Sequence, residues 1–439
     1  MTVALTSRPL VRQARLPRLL AGPAGTRNNG LLEHEETHGP LPLPGLRGRA
    51  QRVSAGRLMD VIERSGLTGR GGAGFPTGRK LRSVADQRGR PVVIANGSEG
   101  EPASAKDRLL LSRSPHLVLD GISLAAYAVG ADRAFLAVHR HEGRLAASLE
   151  AAAAARAAAG IDLVPIEIVG IPGRYVSSEQ SAIVQYLNGG PALPTFSPPR
   201  THERGFDGRP TLVNNAETLA HLALIARHGD QWFRSAGLPG APGTMLVTVG
   251  GAVARPGVYE IEMGTPIGGV LMMAGGLTER PQAILTGGYF GTWLPIDLAW
   301  QLPLTHRDLK SVGGALGAGI LIALPDTSCG LAETARIARY LAGETAGQCG
   351  PCVFGLPTLA DAVADLAYQG EQRALPQIEL LTGLVAGRGA CKHPDGATQL
   401  VLSALTAFGA DAAWHQARGP CYGVRRPPIL PIPGDLAEW

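Results

Sequence analysis

Residues 66–80, GLTGRGGAGFPTGRK, pack six glycines, three basic residues and one proline into fifteen positions. Glycine has no Cβ and tolerates φ > 0, so such a loop can converge backbone N–H groups on an anion. Arg70, Arg79 and Lys80 add full positive charge suited to phosphate oxygens. A G-x-G-x-x-G is written at Gly69, Gly71 and Gly74. The dinucleotide version of that motif follows a strand. Here residues 54–65 read as a helix instead, with Leu58, Val61 and Ile62 on one face, Ser54 as cap and Gly66 as stop. The expectation is an anion-cradling loop rather than a standard dinucleotide turn, with a tight structural turn as the bland alternative.

The second chemical signal is sulfur. All five cysteines, Cys329, Cys349, Cys352, Cys391 and Cys421, lie in the last third of the chain. An odd number crowded at one end does not look like a secreted disulfide framework. Cys349-Gly350-Pro351-Cys352 is a C-x-x-C at the mouth of a helix, and Cys391 could return as a third ligand to one metal centre. A thioredoxin-like reading needs a βαβ setting that this region lacks. Buried inert thiols are the remaining alternative.

The elements that must position these groups alternate. Residues 91–96 read as a buried strand running into the polar turn Gly97-Ser98-Glu99-Gly100-Glu101-Pro102. A helix over 115–129, a strand over 133–138, an alanine-rich helix and a strand over 163–169 follow. This order predicts a parallel α/β sheet, whose ligands sit at the carboxyl ends of strands. A helix opens near Tyr175 and Glu179 and runs to Leu187. Another opens at Val213-Asn214-Asn215 and runs to His228. Composition shifts at 238–243, a linker. Beyond it, 243–326 reads as a small α+β domain with strands at 245–249 and 257–261 and a helix over 265–274. Helices then dominate, over 331–341, 358–368, 378–385 and 398–408. Residues 1–45 read as a poorly ordered arm and 419–439 as a proline-rich tail on the surface.

At 439 residues, 45% hydrophobic and 18% charged, the chain reads as a soluble globular protein of several domains. No run of ~20 apolar residues predicts a membrane helix. The net charge of +5 owes much to the N-terminal arginines, so no nucleic-acid partner is expected.

Taken together in order, these segments resemble one family: the flavin-bearing, NADH-oxidising subunit of respiratory complex I, shared with NAD-linked hydrogenases and formate dehydrogenases. The resemblance rests on the 69–80 loop, Asn96 through Glu101-Pro102, Lys106-Asp107-Arg108, Tyr175 with Glu179, Asn214-Asn215 with Glu217-Thr218, the Gly347–Cys352 segment and Cys391. It implies a multidomain α/β fold: a Rossmann-like FMN/NADH domain (46–237), a ubiquitin-like β-grasp domain (243–326) and a C-terminal helical bundle (327–418) carrying a [4Fe–4S] cluster. It implies hydride transfer from NADH to FMN, then single electrons through the cluster to a protein or quinone-linked acceptor, such as a ferredoxin or another electron-transfer subunit. By position it implies that Gly69, Arg70, Gly71, Gly72, Ala73, Gly74 and Lys80 cradle phosphates. Asn96, Asn214, Asn215 and Thr218 bond the flavin, Glu99, Tyr175 and Glu179 line the nicotinamide side, and Cys349, Cys352 and Cys391 hold iron. The expected location is cytoplasmic, peripheral to a membrane complex where one is present.

The chain departs from the family pattern at four positions. Ala346 stands where the first cluster cysteine belongs. A [3Fe–4S] or water-capped cluster, a substitute ligand (Cys329, His393 or Cys421) and loss of the cluster are the three consequences open. Ser98, Ser178 and Gln180 replace Asp, Gly and Glu, so FMN binding is expected to persist more readily than efficient NADH oxidation. A non-catalytic electron relay or scaffold is the alternative function, and a ligand-binding module a third.

Overall fold

The computed structural model describes residues 16–22, 30–43 and 48–434. Its first sheet holds four strands: β1 (Val92–Asn96), β2 (Arg133–His139), β3 (Ile166–Ile171) and β4 (Thr211–Asn215). Their order is β3-β2-β1-β4, and every pairing is parallel. Val92, Val93, Ile94 and Ala95 are fully buried, as an unbroken apolar run must be when both sheet faces are covered. The helices Pro115–Val129 and Ala216–Arg234 pack against one face through Leu119, Ile122, Leu219 and Ala223. The helix Gln180–Leu187 covers the other through Ile183 and Val184.

Two local readings are corrected here. The helix before the glycine loop spans Gly48–Ser65, so Ser54 lies inside it and is not its cap. Gly66, at φ 74°, does end it. Val213-Asn214-Asn215 does not open a helix; it is the end of β4, held beside β1 by the pairs Ala95↔Asn214 and Asn96↔Asn215. Asn215 then caps the next helix, its side chain accepting from the Glu217 N–H.

The second sheet has five strands in the order Thr292–Pro295, Pro281–Thr286, Ile320–Pro325, Thr244–Gly251 and Gly257–Glu262. Only Ile320–Pro325 with Thr244–Gly251 is parallel. The expected linker at 238–243 is a small antiparallel ribbon, Gly237–Leu238 on Ala241–Pro242. Helices Gly330–Gly343, Leu356–Tyr368, Ala374–Val385, His393–Ala407 and Gly409–Arg418 follow, the last unanticipated. They share a core with the second sheet, in which Leu285, Trp293 and Ile322 meet Leu331, Ile337 and Phe408.

Where the expected poorly ordered arm is described, it is ordered. Leu31–His38 is a helix whose His34 bonds Asp120 at 2.7 Å. Leu19 is buried, and the N–H groups of Arg18, Leu19 and Leu20 all donate to the Glu260 carboxylate. Residues 1–15, 23–29 and 44–47 lie outside the described residues, as do 435–439. The tail before them packs down, with Leu430 buried and the Ile429 N–H donating to Glu333. Among the described residues no helix is long and apolar enough to cross a membrane.

Candidate functional site

The chain leaves β1 toward β2 and β3 on one side and returns to β4 on the other. The carboxyl ends of β1 and β4 therefore form a topological switch point, where open parallel sheets take ligands. Asn96 and Asn215 end those strands side by side, with Asn214 one step back. The glycine loop lies over them: a Cβ added to Gly71 would sit 3.2 Å from the Asn215 Cβ. Lys80 reaches in from the helix Thr77–Ala85, its Nζ donating to the Val213 carbonyl. Burial pulls the Lys80 ammonium down to about 8, with Glu179 acting in the opposite sense. Asn214 is buried, yet its Nδ2 has no hydrogen-bond partner. A buried amide donor left unsatisfied near the strand ends fits a group that supplies acceptor oxygens.

The neighbouring polar groups hold the crevice in shape. Asn96 donates to the Ser178 carbonyl at 2.8 Å and accepts from the Ser98 hydroxyl at 2.7 Å. Asn215 donates to Asp107 at 2.6 Å while its Oδ1 caps the helix. The Thr218 hydroxyl accepts the Arg70 N–H at 2.8 Å. Beneath them lies a buried charge cluster that sequence reasoning did not assign. The Lys106 ammonium is 2.8 Å from Asp107 and 3.0 Å from Glu217, and Arg70 and His221 approach Glu217 at 4.0 and 3.8 Å. Burial opposes ionisation of Glu217, but Lys106 above all holds it down at about 2. Burial likewise works against the charge on Lys106, and Asp107 and Glu217 outweigh it, raising its pKa. Lys106, Asp107, Glu217 and Arg70 were each named from the sequence, but not as one cluster.

Arg70 is not in the crevice. Its guanidinium is buried and donates to the Thr68 carbonyl and hydroxyl and to the Thr244 carbonyl. It ties the loop to the second sheet. Gly69 closes the loop on itself, donating to the Phe75 carbonyl at 2.9 Å. Gly72 bridges to Gly317, and a Cβ on Gly74 would strike the His306 ring at 2.6 Å. Ala73 is exposed. Of the loop residues expected to cradle phosphate, Gly71 and Lys80 face the strand ends, and Gly69, Arg70, Gly72 and Gly74 serve loop closure and domain packing.

The three residues expected at the nicotinamide side lie on two segments that pack together, Gly100 against Tyr175 and Ser178, but their side chains have different surroundings. Glu99 stands at the end of β1, its pKa raised to about 8 by burial and by Asp107, whose N–H it accepts at 3.3 Å. Glu179 caps the helix Gln180–Leu187, accepting from the N–H groups of Ser181 and Ala182. Tyr175 is a core ring instead. It packs against Phe290 and His393, and its hydroxyl donates to Glu101 at 3.0 Å. Burial raises Glu101 to about 7 even though the Tyr289 N–H also donates to it.

Cys349 and Cys352 occupy the start of the turn leading into Leu356–Tyr368, with the Cys352 N–H on the Cys349 carbonyl at 3.0 Å. Burial pushes the Cys352 thiol up to about 12, and Cys349 and Cys391 push it the same way. Cys391 is raised by burial and by Glu179 and Cys349. Cys352 is thus influenced by both other thiols and Cys391 by Cys349, and thiolates are the donor type an iron–sulfur cluster takes. A cleft of about 840 Å³ has Glu179 and Gln180 on one wall and Gly389, Ala390 and Cys391 on the other.

Of the residues expected as substitutes for Ala346, His393 is beside Cys391 but turns its ring away, and the two cysteines sit elsewhere. His393 donates from Nε2 to the Leu341 carbonyl at 2.7 Å and packs on Tyr175. Cys329 and Cys421 gather with His415. That group lies at the opposite end of Gly330–Gly343, a helix whose 14 residues span about 20 Å.

This is an α/β protein with a polar crevice at a sheet switch point and with Cys349, Cys352 and Cys391 in the helical part that follows its second sheet. Three family models match it in order. The Nuo51 FMN-binding domain matches residues 62–224, the SLBB domain 246–288, and the NADH-ubiquinone oxidoreductase-F iron-sulfur binding region 332–415. The chain is 30% identical to the F 2 subunit of the NADH-quinone oxidoreductase of Rhizobium meliloti over 395 residues, 86% of this chain and 92% of that protein. It is 32% identical to the F subunit of the Streptomyces coelicolor NADH-quinone oxidoreductase over 386 residues, 84% and 85% of the two. The crystal structure of an NAD+-reducing [NiFe]-hydrogenase in the H2-reduced state superposes with a TM-score of 0.76 at 30% identity, covering 89% of this chain and 67% of that one. The chain belongs to the family of NADH-binding flavoprotein subunits of complex I and NAD-linked hydrogenases.

Proposed function

We propose that this chain is an FMN-dependent NADH oxidoreductase that passes electrons through an iron–sulfur centre held by Cys349, Cys352 and Cys391 to a protein or quinone-linked acceptor. The observation that carries it is a shared wall. Asn96 at the strand end donates to the Ser178 carbonyl, and the next residue, Glu179, lines one cleft together with Cys391. FMN, when bound, takes a hydride from NADH and releases electrons singly. The chain's own residues do the rest. Gly71 admits the flavin phosphate to the backbone, Lys80 supplies the cation beside it, and the Asn214 amide donates to the flavin. Asn96, Asn215 and Thr218 keep the strand ends and loop in register. Glu99 keeps its proton near neutral pH and so presents a hydrogen-bond donor, rather than a second anion, to an incoming nucleotide.

Residues 46–237 are read as the FMN/NADH domain, 243–326 as a β-grasp domain of the soluble-ligand-binding kind, and 327–418 as a helical iron–sulfur domain. The relatives' names, subunits of a quinone oxidoreductase and a hydrogenase, support a neighbouring electron-transfer subunit, or a ferredoxin, as acceptor, at a cytoplasmic site peripheral to any membrane complex. The test is anaerobic NADH titration of the protein loaded with FMN and iron, followed in the visible spectrum. Bleaching of the flavin band supports the oxidoreductase. A flavin that binds but does not bleach, with an iron centre reducible by dithionite, points to a relay.

A further inference from the structure

Away from the crevice, Cys329, His415 and Cys421 bring one Sγ, one ring nitrogen and a second Sγ within 4.8 Å of one another. Cys329 is the cap of Gly330–Gly343, His415 lies near the end of Gly409–Arg418, and Cys421 follows three residues after that helix's last residue. Cys329 and His415 are buried and Cys421 is half-buried. Chain segments more than eighty residues apart thus converge three soft donors on one point.

Details of the surroundings favour a metal over idle packing. The Cys329 Sγ lies 3.8 Å from the His415 Nε2. Two ligands of a tetrahedral zinc ion, one sulfur at ~2.3 Å and one nitrogen at ~2.0 Å, are about 3.6 Å apart. The other ring nitrogen, Nδ1, faces the Leu366 carbonyl at 3.4 Å. A carbonyl there selects the tautomer with its proton on Nδ1 and leaves the Nε2 lone pair free, the arrangement that metal-binding histidines use. The Ala332 N–H donates to the Cys329 sulfur at 3.4 Å. The Nε2 lone pair accepts the Cys421 N–H at 3.1 Å here, so that donor would give way to the ion.

We infer that Cys329, His415 and Cys421 form a second metal site, for a zinc-class divalent cation, separate from the Cys349–Cys352–Cys391 centre. Two thiolates and one imidazole suit zinc and exclude hard cations such as magnesium. The fourth tetrahedral position stays open on the half-buried Cys421 side. The ion would clamp the tail to the helical domain, since Gly423 already runs against the backbone of Ser328 and Cys329.

The experiment measures zinc and iron together in the full chain with its iron centre assembled, then replaces zinc by cobalt and records the spectrum. The expected result is one zinc per chain and a tetrahedral cobalt spectrum with thiolate charge-transfer bands. Cys421→Ser and His415→Gln lose at least ~10-fold in zinc affinity while keeping their iron. Cys352→Ser does the reverse. The proposal is overturned if the wild-type protein holds no zinc, if Cys421→Ser binds it as tightly, or if intact mass shows Cys329 and Cys421 oxidised to a disulfide in freshly purified protein. Should the variants fail to fold, the wild-type cobalt spectrum still decides: tetrahedral bands in the iron-loaded protein support the site, and octahedral bands refute it.

Discussion

Lys80 sets the pH range over which the crevice can hold a phosphate. Burial lowers its pKa to about 8, against about 10.4 for an exposed lysine. Between those values the folded protein has lost a proton that the unfolded chain keeps. Stability of the apoprotein therefore rises with pH through this window. At ~1.4 kcal/mol per pH unit the gain has an upper limit of about 3 kcal/mol, reduced because Lys80 is only partly buried. Flavin binding runs the other way. An FMN phosphate beside Nζ favours the ammonium, so Kd should be flat below pH ~8 and rise about tenfold per pH unit above it. Lys80→Gln removes a charge-assisted bond of about 1.5–3 kcal/mol, or roughly 10–100-fold in Kd, and with it the slope. The assay is quenching of flavin fluorescence by apoprotein at fixed ionic strength, from pH ~6.5 to ~9.5, paired with urea unfolding of the apoprotein over the same range. A wild-type Kd that stays flat to pH ~9.5, or a Lys80→Gln variant that keeps the slope, refutes the assignment of Lys80 to the phosphate.

Arg70→Ala should act on stability rather than on the ligand. It strips the bonds to Thr68 and Thr244 and leaves Glu217 short of a cation, costing about 3–5 kcal/mol in denaturant midpoints, while FMN Kd in the folded fraction changes less than about threefold. Gly71→Val should weaken FMN by at least ~10-fold with little change in the unfolding midpoint, since the new side chain fills the approach above Asn215; an unchanged Kd would place the flavin elsewhere. Ala346→Cys should supply a fourth thiolate and give about four irons per chain, with a changed electron-resonance signal, read by iron and sulfide analysis; an unchanged signal would show that position 346 does not face the iron centre. Burial raises Glu101 to about 7, so the folded state holds a proton the unfolded chain has released between pH ~4.3 and ~7; wild-type stability falls across that interval by at most about 4 kcal/mol, and Glu101→Gln flattens the curve in urea unfolding.

What could be read from residues alone was whatever has a local cause. β1 is an apolar run bounded by proline and a polar turn, and Pro115–Val129 starts on its proline and stops at Gly130 in the left-handed region. The C-x-x-C and Cys391 were legible because thiols are rare and chemically specific. β4 was not. Asn214-Asn215-Ala216-Glu217 carries strong helix-start signals, and only pairing with β1, more than a hundred residues earlier, extends the strand through the two asparagines. The orientation of Arg70 was equally hidden, because its acceptor, the Thr244 carbonyl, is 174 positions away. Tyr175 failed for the same reason: its partners Glu101 and Phe290 belong to other elements. His415 offered no motif at all, since its spacing from Cys329 and Cys421 matches no local ligand pattern.

These placements change how the crevice attracts an anionic cofactor. Counted along the loop, three cations surround the glycines. In the fold, Arg70 faces inward and Arg79 is exposed at the surface, which leaves Lys80 as the cation at the strand ends. A single partly buried ammonium cannot offset two carboxylates and a phosphate at once. The arrangement works because the carboxylates are disarmed by different means. Glu99 is driven toward its neutral form by burial and by Asp107, and Glu179 spends one oxygen on the helix start that follows it. Asp107 and Glu217 are balanced from below by Lys106. The strand ends therefore present hydrogen-bond donors in a nearly neutral field. Ser98 and Gln180, uncharged where the family pattern carries acids, extend the same trend. Selectivity for the cofactor then rests on amide geometry at Gly71 and Asn214 rather than on net charge. On this account raising ionic strength should weaken FMN binding only slightly, by the screening of one ammonium.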